Sequence, residues 1–101
     1  APALPVRDTL KLAHGGLVER TVDRTDLFSI QTPQVFDADL IRAALQKAVE
    51  DGAPLTDDCS AVERLGMKVT LTRGSEENLK LTEPGDLLLA RGILEGRRAA
   101  L

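Results

Sequence analysis

A chain of 101 residues can bury the core of one small domain but not of two. Its formal net charge of −3 gives no basic footprint for nucleic acid, and Arg97-Arg98 is too short to serve as a basic tail. With 29% charged residues and no apolar run of spanning length, a membrane span is excluded, and a soluble, cytoplasmic protein is expected. Phe28 and Phe36 are the only aromatics, so Leu, Val, Ile and Ala must build the core. The single cysteine, Cys59, excludes an intramolecular disulfide and fits a reducing compartment, and a small buried helix residue is a commoner role for it than a reactive thiol. The opening Ala-Pro-Ala-Leu-Pro has neither an initiator methionine nor a targeting core, so the chain reads as a piece of something longer.

Two β-friendly runs, Asp8 to Ala13 and Leu17 to Val22, flank His14-Gly15-Gly16 and predict a hairpin whose glycines supply positive φ values. Such a hairpin is marginal alone and needs a surface to pack on, a partner subunit being one candidate. Leu27 to Gln31 predicts a short buried strand stopped at Thr32-Pro33. Asp37 caps a helix that ends at Gly52, with Ala38, Ile41, Ala44, Leu45, Ala48 and Val49 on one stripe. A shorter helix starts near Thr56 to Asp58 and ends at Gly66, with Val62 and Leu65 as its core residues. Met67 to Thr72 alternates as a strand, and so does Asn78 to Thr82, where Leu79 and Leu81 oppose Asn78, Lys80 and Thr82. Thr82 can cap a last helix from about Glu83 to Glu95, with Pro84 in its first turn. That helix is apolar around most of its girth, which predicts burial, and Gly96 to Leu101 predicts a frayed tail.

Alternating strands and helices after the hairpin point to an α/β layer with ligand chemistry at strand ends. Three polar clusters fall at such ends: Gln31-Thr32-Pro33-Gln34, Thr56-Asp57-Asp58 and Asn78-Leu79-Lys80-Leu81-Thr82. Their hydroxyls and the Lys80 ammonium suit the oxygens of a phosphate ester, and Arg24 could add a bidentate clamp. Each feature also has a structural role open to it. Thr32 can end a strand, Thr56 or Asp57 can cap a helix, Arg24 can pair with Asp23 or Asp26, and Lys80 can be a solvated surface cation. His14 is expected in an exposed loop, and Asp57-Asp58 reads as a helix start rather than a divalent-metal site. Neither G-x-G-x-x-G nor a P-loop occurs, so these residues lack a triphosphate loop.

Taken in order, Pro5-Val6-Arg7-Asp8-Thr9-Leu10-Lys11, Thr21-Val22-Asp23-Arg24, Gln31-Thr32-Pro33-Gln34-Val35-Phe36, Thr56-Asp57-Asp58-Cys59-Ser60, Gly74-Ser75, Asn78-Leu79-Lys80 and Thr82-Glu83-Pro84 resemble the C-terminal half of the 2-C-methyl-D-erythritol 4-phosphate cytidylyltransferases. The resemblance covers almost the whole chain. It implies a partial Rossmann-like nucleotide-diphospho-sugar transferase fold with a β-arm hairpin at residues 6–25, used for homodimerisation, and a sheet-and-helix part at 26–96 carrying the acceptor-phosphate site. It further implies transfer of CMP from CTP to methylerythritol phosphate in non-mevalonate isoprenoid biosynthesis, with release of pyrophosphate. By the same resemblance Arg24 and Lys80 are catalytic, Thr32, Thr56 and Thr82 surround the substrate, and Thr9 and Arg24 reach a partner's site. Cys59 and Gly85 depart from the family's usual small residue and acid at those positions. The Gly-rich loop, a first lysine and the magnesium ligands would lie in an N-terminal half outside these residues, so the chain alone is expected to be inactive. A ribitol-5-phosphate cytidylyltransferase and a non-catalytic dimerisation module are the alternatives.

Overall fold

The computed structural model describes residues 1–100. Its elements in chain order are β1 (Pro2–Pro5), β2 (Lys11–His14), β3 (Leu17–Thr21), β4 (Phe28–Ile30), α1 (Ala38–Glu50), α2 (Asp58–Arg64), β5 (Thr72–Arg73) and α3 (Pro84–Ala100). β1 is central in a mixed sheet of order β4-β1-β5, antiparallel to β4 and parallel to β5, while β2 and β3 pair only with each other. This is an α/β chain. No helix among the described residues is long and apolar enough to cross a membrane.

The β2–β3 hairpin follows its turn chemistry. His14 lies opposite Leu17, so Gly15 and Gly16 form a two-residue loop, and their φ values of 57° and 78° suit a turn that a side chain would strain. Arg20 faces Leu12 but Val18 faces Ala13, which leaves Glu19 as an extra residue in a bulge. His14 ends β2 rather than sitting in the loop, and its Nε2 lies 2.8 Å from Glu19. The hairpin strands are shorter than expected, with one further bond from the Val22 N–H to the Leu10 carbonyl at 2.9 Å beyond their open end, and every residue of both strands is exposed.

α1 starts where Asp37 accepts from the N–H groups of Asp39 and Leu40, each at 3.1 Å. Gly52 lies just beyond the end with φ 60°. α2 is capped by Asp57 in the same way. The core forms where α1 meets α2: Ala44, Ala61 and Val62 are buried, and Phe36, Leu40, Ile41 and Val69 pack on them. Small side chains let the helices approach closely, and burying Val62 contributes about 1.5–3 kcal/mol. The predicted stripe is corrected at one edge, since the seam runs through Leu40, Ile41, Ala44 and Ala48 and leaves Val49 80% exposed. Leu65, expected in the core, is also exposed at the end of α2.

Further expectations are corrected. β1 has no counterpart among the elements expected from the sequence; its two prolines stand at the strand's two ends, where a missing N–H costs least. Of the expected Met67–Thr72 strand only Thr72 enters a ladder, and the observed strand runs one residue further, Thr72–Arg73, beside Pro2 and Ala3 of β1. Asn78–Thr82 is not a strand, for no neighbouring strand pairs with it and the N–H groups of Asn78 and Leu79 turn back to Ser75 and Glu77. α3 extends through the predicted tail to Ala100, held by Arg97 on Glu77 at 2.6 Å, and it has no buried residue; Leu101 lies outside the described residues. The apolar girth of α3 predicts burial, yet among the described residues no other element covers it, and Leu88 is 69% exposed. β4 is likewise exposed rather than buried.

The radius of gyration is 17.2 Å, against about 13 Å for a compact 100-residue domain. The expanded radius goes with many exposed large apolar side chains, among them Leu17, Leu81 and Leu88.

One close approach secures the sheet to the segment that follows it. Gln31 accepts from the Ser75 N–H at 3.1 Å and donates to the Ser75 carbonyl at 2.8 Å. A Cβ on Gly74 would overlap Gln31 Oε1 and lie 3.1 Å from the Ala3 carbonyl oxygen. Gly74→Ala is therefore expected to cost about 1–2 kcal/mol by displacing that amide. A denaturant midpoint equal to wild type, at equal slope, would contradict this.

Candidate functional site

Three parts of the chain meet at a cleft of about 200 Å³ lined by Thr32, Gln34, Thr56, Asp57, Asp58 and Lys80. The first part is the loop after β4, which leaves the sheet at Ile30 and carries Thr32 on a cis Thr32–Pro33 peptide. The second is the start of α2. Asp57 is its cap, accepting from the Ser60 N–H at 2.9 Å and the Ser60 hydroxyl at 2.7 Å, and Thr56 and Ser60 share a hydroxyl hydrogen bond of 2.8 Å. The third is the irregular run before α3, where Asn78 donates from Nδ2 to the Thr32 carbonyl at 2.7 Å and so holds the neighbouring Lys80 beside the Thr32 loop.

The alternation expected over residues 78–82 survives without a strand. Leu79 and Leu81 line a shallow groove with Ala90 and Ile93 of α3, while Lys80 faces the cleft. The apolar groove thus orients the lysine. Thr82 does not line the cleft and does not cap α3. Its hydroxyl donates to the Lys80 carbonyl at 3.2 Å, and Asp86 takes the capping role instead, accepting from the N–H groups of Thr82 and Glu83 at 3.1 and 3.0 Å. Those N–H bonds hold the Asp86 carboxyl below the usual carboxylate range.

Charge in the cleft is mixed. Lys80 forms no ion pair among the described residues, so its ammonium is available to an anion. The hydrogen bond from the Ser60 hydroxyl, helped by the Ser60 N–H and Gln34, keeps the Asp57 carboxyl below its ordinary value. Burial, with Asp57 nearby, pushes the Cys59 thiol up, so Cys59 is a buried structural thiol and not an activated one. A depressed carboxyl stabilises the fold above its unfolded value and loses that contribution as pH falls through the folded value. Asp57→Ala is expected to cost about 1 kcal/mol at neutral pH, and the difference from wild type should close below about pH 4. A gap that persists in acid, read by denaturant titration, would contradict the assignment.

Thr9 and Arg24 stand apart from the cleft. Thr9 is exposed just before β2, and the Arg24 guanidinium donates to the Arg7 carbonyl rather than pairing with Asp23, which accepts from Thr25. Thus Thr32, Thr56 and Lys80 come together within one chain, and Thr9, Arg24 and Thr82 do not join them. Gln34 and Asp58 line the cleft without having been singled out as ligands, although both lie inside the polar clusters. Among the described residues no group of three or more His, Cys, Asp or Glu side chains could hold a metal ion.

A family model described as 2-C-methyl-D-erythritol 4-phosphate cytidylyltransferase (IspD) matches residues 1–96. The enzyme of that name from Geobacillus kaustophilus is 48% identical over 98 residues, which cover 97% of this chain and 43% of the relative. That from Pectobacterium atrosepticum is 46% identical over 92 residues, covering 91% and 39%. A crystal structure of the enzyme from Thermus thermophilus superposes with a TM-score of 0.83 at 38% identity, covering 93% of this chain and 46% of that one. The chain therefore spans about two fifths of the length of the curated relatives it matches. With nearly every residue matched by that model and the same architecture in the solved relative, the chain belongs to the 2-C-methyl-D-erythritol 4-phosphate cytidylyltransferase family.

Proposed function

We propose that these residues are the acceptor-phosphate part of an enzyme that transfers CMP from CTP to 2-C-methyl-D-erythritol 4-phosphate. The observation that carries this reading is the convergence of Lys80, Thr32 and Thr56 on one cleft, in a chain of this family. An ammonium and two hydroxyls supply one positive charge and two donors, which match the oxygens of a phosphate monoester. An oxygen of that phosphate attacks the α-phosphorus of CTP, a new P–O bond forms, and the bond to the β-phosphate oxygen breaks, releasing pyrophosphate. The nucleophile is already anionic and needs no base. This chain's own contribution is to place it and to balance charge as the phosphate approaches a second anion.

The CTP-binding half, with its magnesium ligands, belongs to the N-terminal part of the protein in this reading, and residues 1–101 to the C-terminal part of the same partial Rossmann-like, nucleotide-diphospho-sugar transferase domain. Residues 6–25 form a β-arm that reaches across a homodimer, where Thr9 and Arg24 meet the partner's cleft. The fully exposed hairpin supports an arm. Thr82 acts indirectly, through its bond to the Lys80 carbonyl. Pyrophosphate release by the full-length enzyme tests the reading: turnover is expected with CTP and methylerythritol phosphate. Faster turnover with ribitol 5-phosphate would replace the acceptor, and none with either would sink the assignment.

A further inference from the structure

The three pieces of chain around the cleft are not joined by a strand ladder: β4 has ended at Ile30, α2 begins at Asp58, and residues 78–82 are irregular. Two side-chain amides join them instead. Gln34 donates from Nε2 to Oδ2 of Asp57 at 3.1 Å, and its Oε1 accepts from the Cys59 N–H at 3.1 Å. The polarity is fixed, since a reversed amide would set oxygen against carboxylate and NH₂ against N–H. On the other side, Asn78 grips the Thr32 carbonyl at 2.7 Å. Gln34 therefore ties the Thr32 loop to the α2 start that carries Thr56, and Asn78 ties the same loop to the run that carries Lys80. We propose that Gln34 and Asn78 are positioning residues that set the mutual placement of Thr32, Thr56 and Lys80, and with it the fit of one phosphate monoester in the cleft.

The proposal rests on the acceptor-phosphate reading above and deepens it. Neither amide needs to touch the substrate. Removing either one frees one wall of the cleft, and it leaves Asp57 Oδ2 and the Cys59 N–H, or the Thr32 carbonyl, without its partner. The loss should therefore appear in recognition of the acceptor and not of CTP.

Steady-state kinetics of the full-length enzyme, varying CTP and methylerythritol phosphate separately, decide the matter. Gln34→Ala and Asn78→Ala are each expected to raise the acceptor KM about 10-fold while leaving the CTP KM unchanged. Gln34→Glu keeps the size and sets a second carboxylate against Asp57, with Asp58 from α2 and Lys80 as the other charged groups lining the cleft. Facing carboxylates hold a proton more tightly, so the acceptor KM of Gln34→Glu, as a ratio to wild type, should fall between about pH 8 and about pH 5. Unchanged acceptor KM in both alanine variants overturns the proposal. So does an equal rise in both KM values, or a Gln34→Glu ratio that is flat with pH, because either marks a general structural role. A wild-type enzyme without turnover overturns the acceptor-phosphate reading itself, and this proposal with it.

Discussion

Lys80→Ala in the full-length enzyme is expected to lower kcat for cytidylyl transfer by about 100- to 1000-fold, the range seen when one preorganised charge-stabilising donor is removed. The melting temperature should stay at the wild-type value. Both halves of this expectation come from the same geometry. Lys80 is exposed, forms no ion pair among the described residues and contributes only its backbone carbonyl to the local hydrogen bonding. Truncating it therefore removes no internal contact that holds the fold. Its ammonium does face the cleft shared with Thr32 and Thr56, where in the proposed reaction a phosphate dianion approaches a triphosphate. Two anions repel before reaction and more so as they close, so a cation between them gains strength toward the transition state. Lys80→Arg tests geometry against charge: a guanidinium keeps the charge but is longer and planar, and partial recovery is expected. A kcat within about threefold of wild type in Lys80→Ala would remove Lys80 from the reaction.

Local chemistry that involves only near neighbours in sequence was legible, and pairing at a distance was not. Asp37 and the Thr56–Asp58 cluster announced their helices because a cap needs only the next few N–H groups, and the structure gives the second cap to Asp57. Gly15-Gly16 announced the hairpin for a similar reason. β1 was hidden because its prolines look like breakers until the ladder shows that they stand at the strand's ends, and residues 78–82 looked like a strand because alternation does not say whether a neighbour exists. α3 shows the reverse failure: its leucines were read as buried, since apolar girth specifies what a helix is prepared to bury and not what is present to cover it. In the cleft, Thr32, Thr56 and Lys80 were legible as clustered hydroxyls and a cation near turns. The Gln34–Asp57 and Asn78–Thr32 bonds that assemble them link residues far apart in sequence, and no local pattern signals them.

Arg24→Ala and Lys80→Ala, each nearly inactive alone, are expected to recover activity when the two full-length variants are mixed and allowed to exchange subunits. Within one chain Arg24 is absent from the cleft lining, and its guanidinium rests on the Arg7 carbonyl at the base of the exposed hairpin. If the hairpin reaches across a twofold axis, each cleft takes its lysine from one subunit and its arginine from the other. A mixed dimer then has one site with both residues intact and one with neither. Random exchange at equal concentrations makes half of the dimers mixed, so about one quarter of the wild-type activity should return. If Arg24 served the cleft of its own chain, every site in every mixed dimer would lack one residue, and mixing would restore nothing. Recovery in the mixture also separates a shared site from a merely destabilising substitution, because a variant that misfolds cannot lend an arginine. The same exchange with Thr9→Ala in place of Arg24→Ala should complement Lys80→Ala too, since Thr9 belongs to the same exposed arm and is likewise absent from the cleft of its own chain.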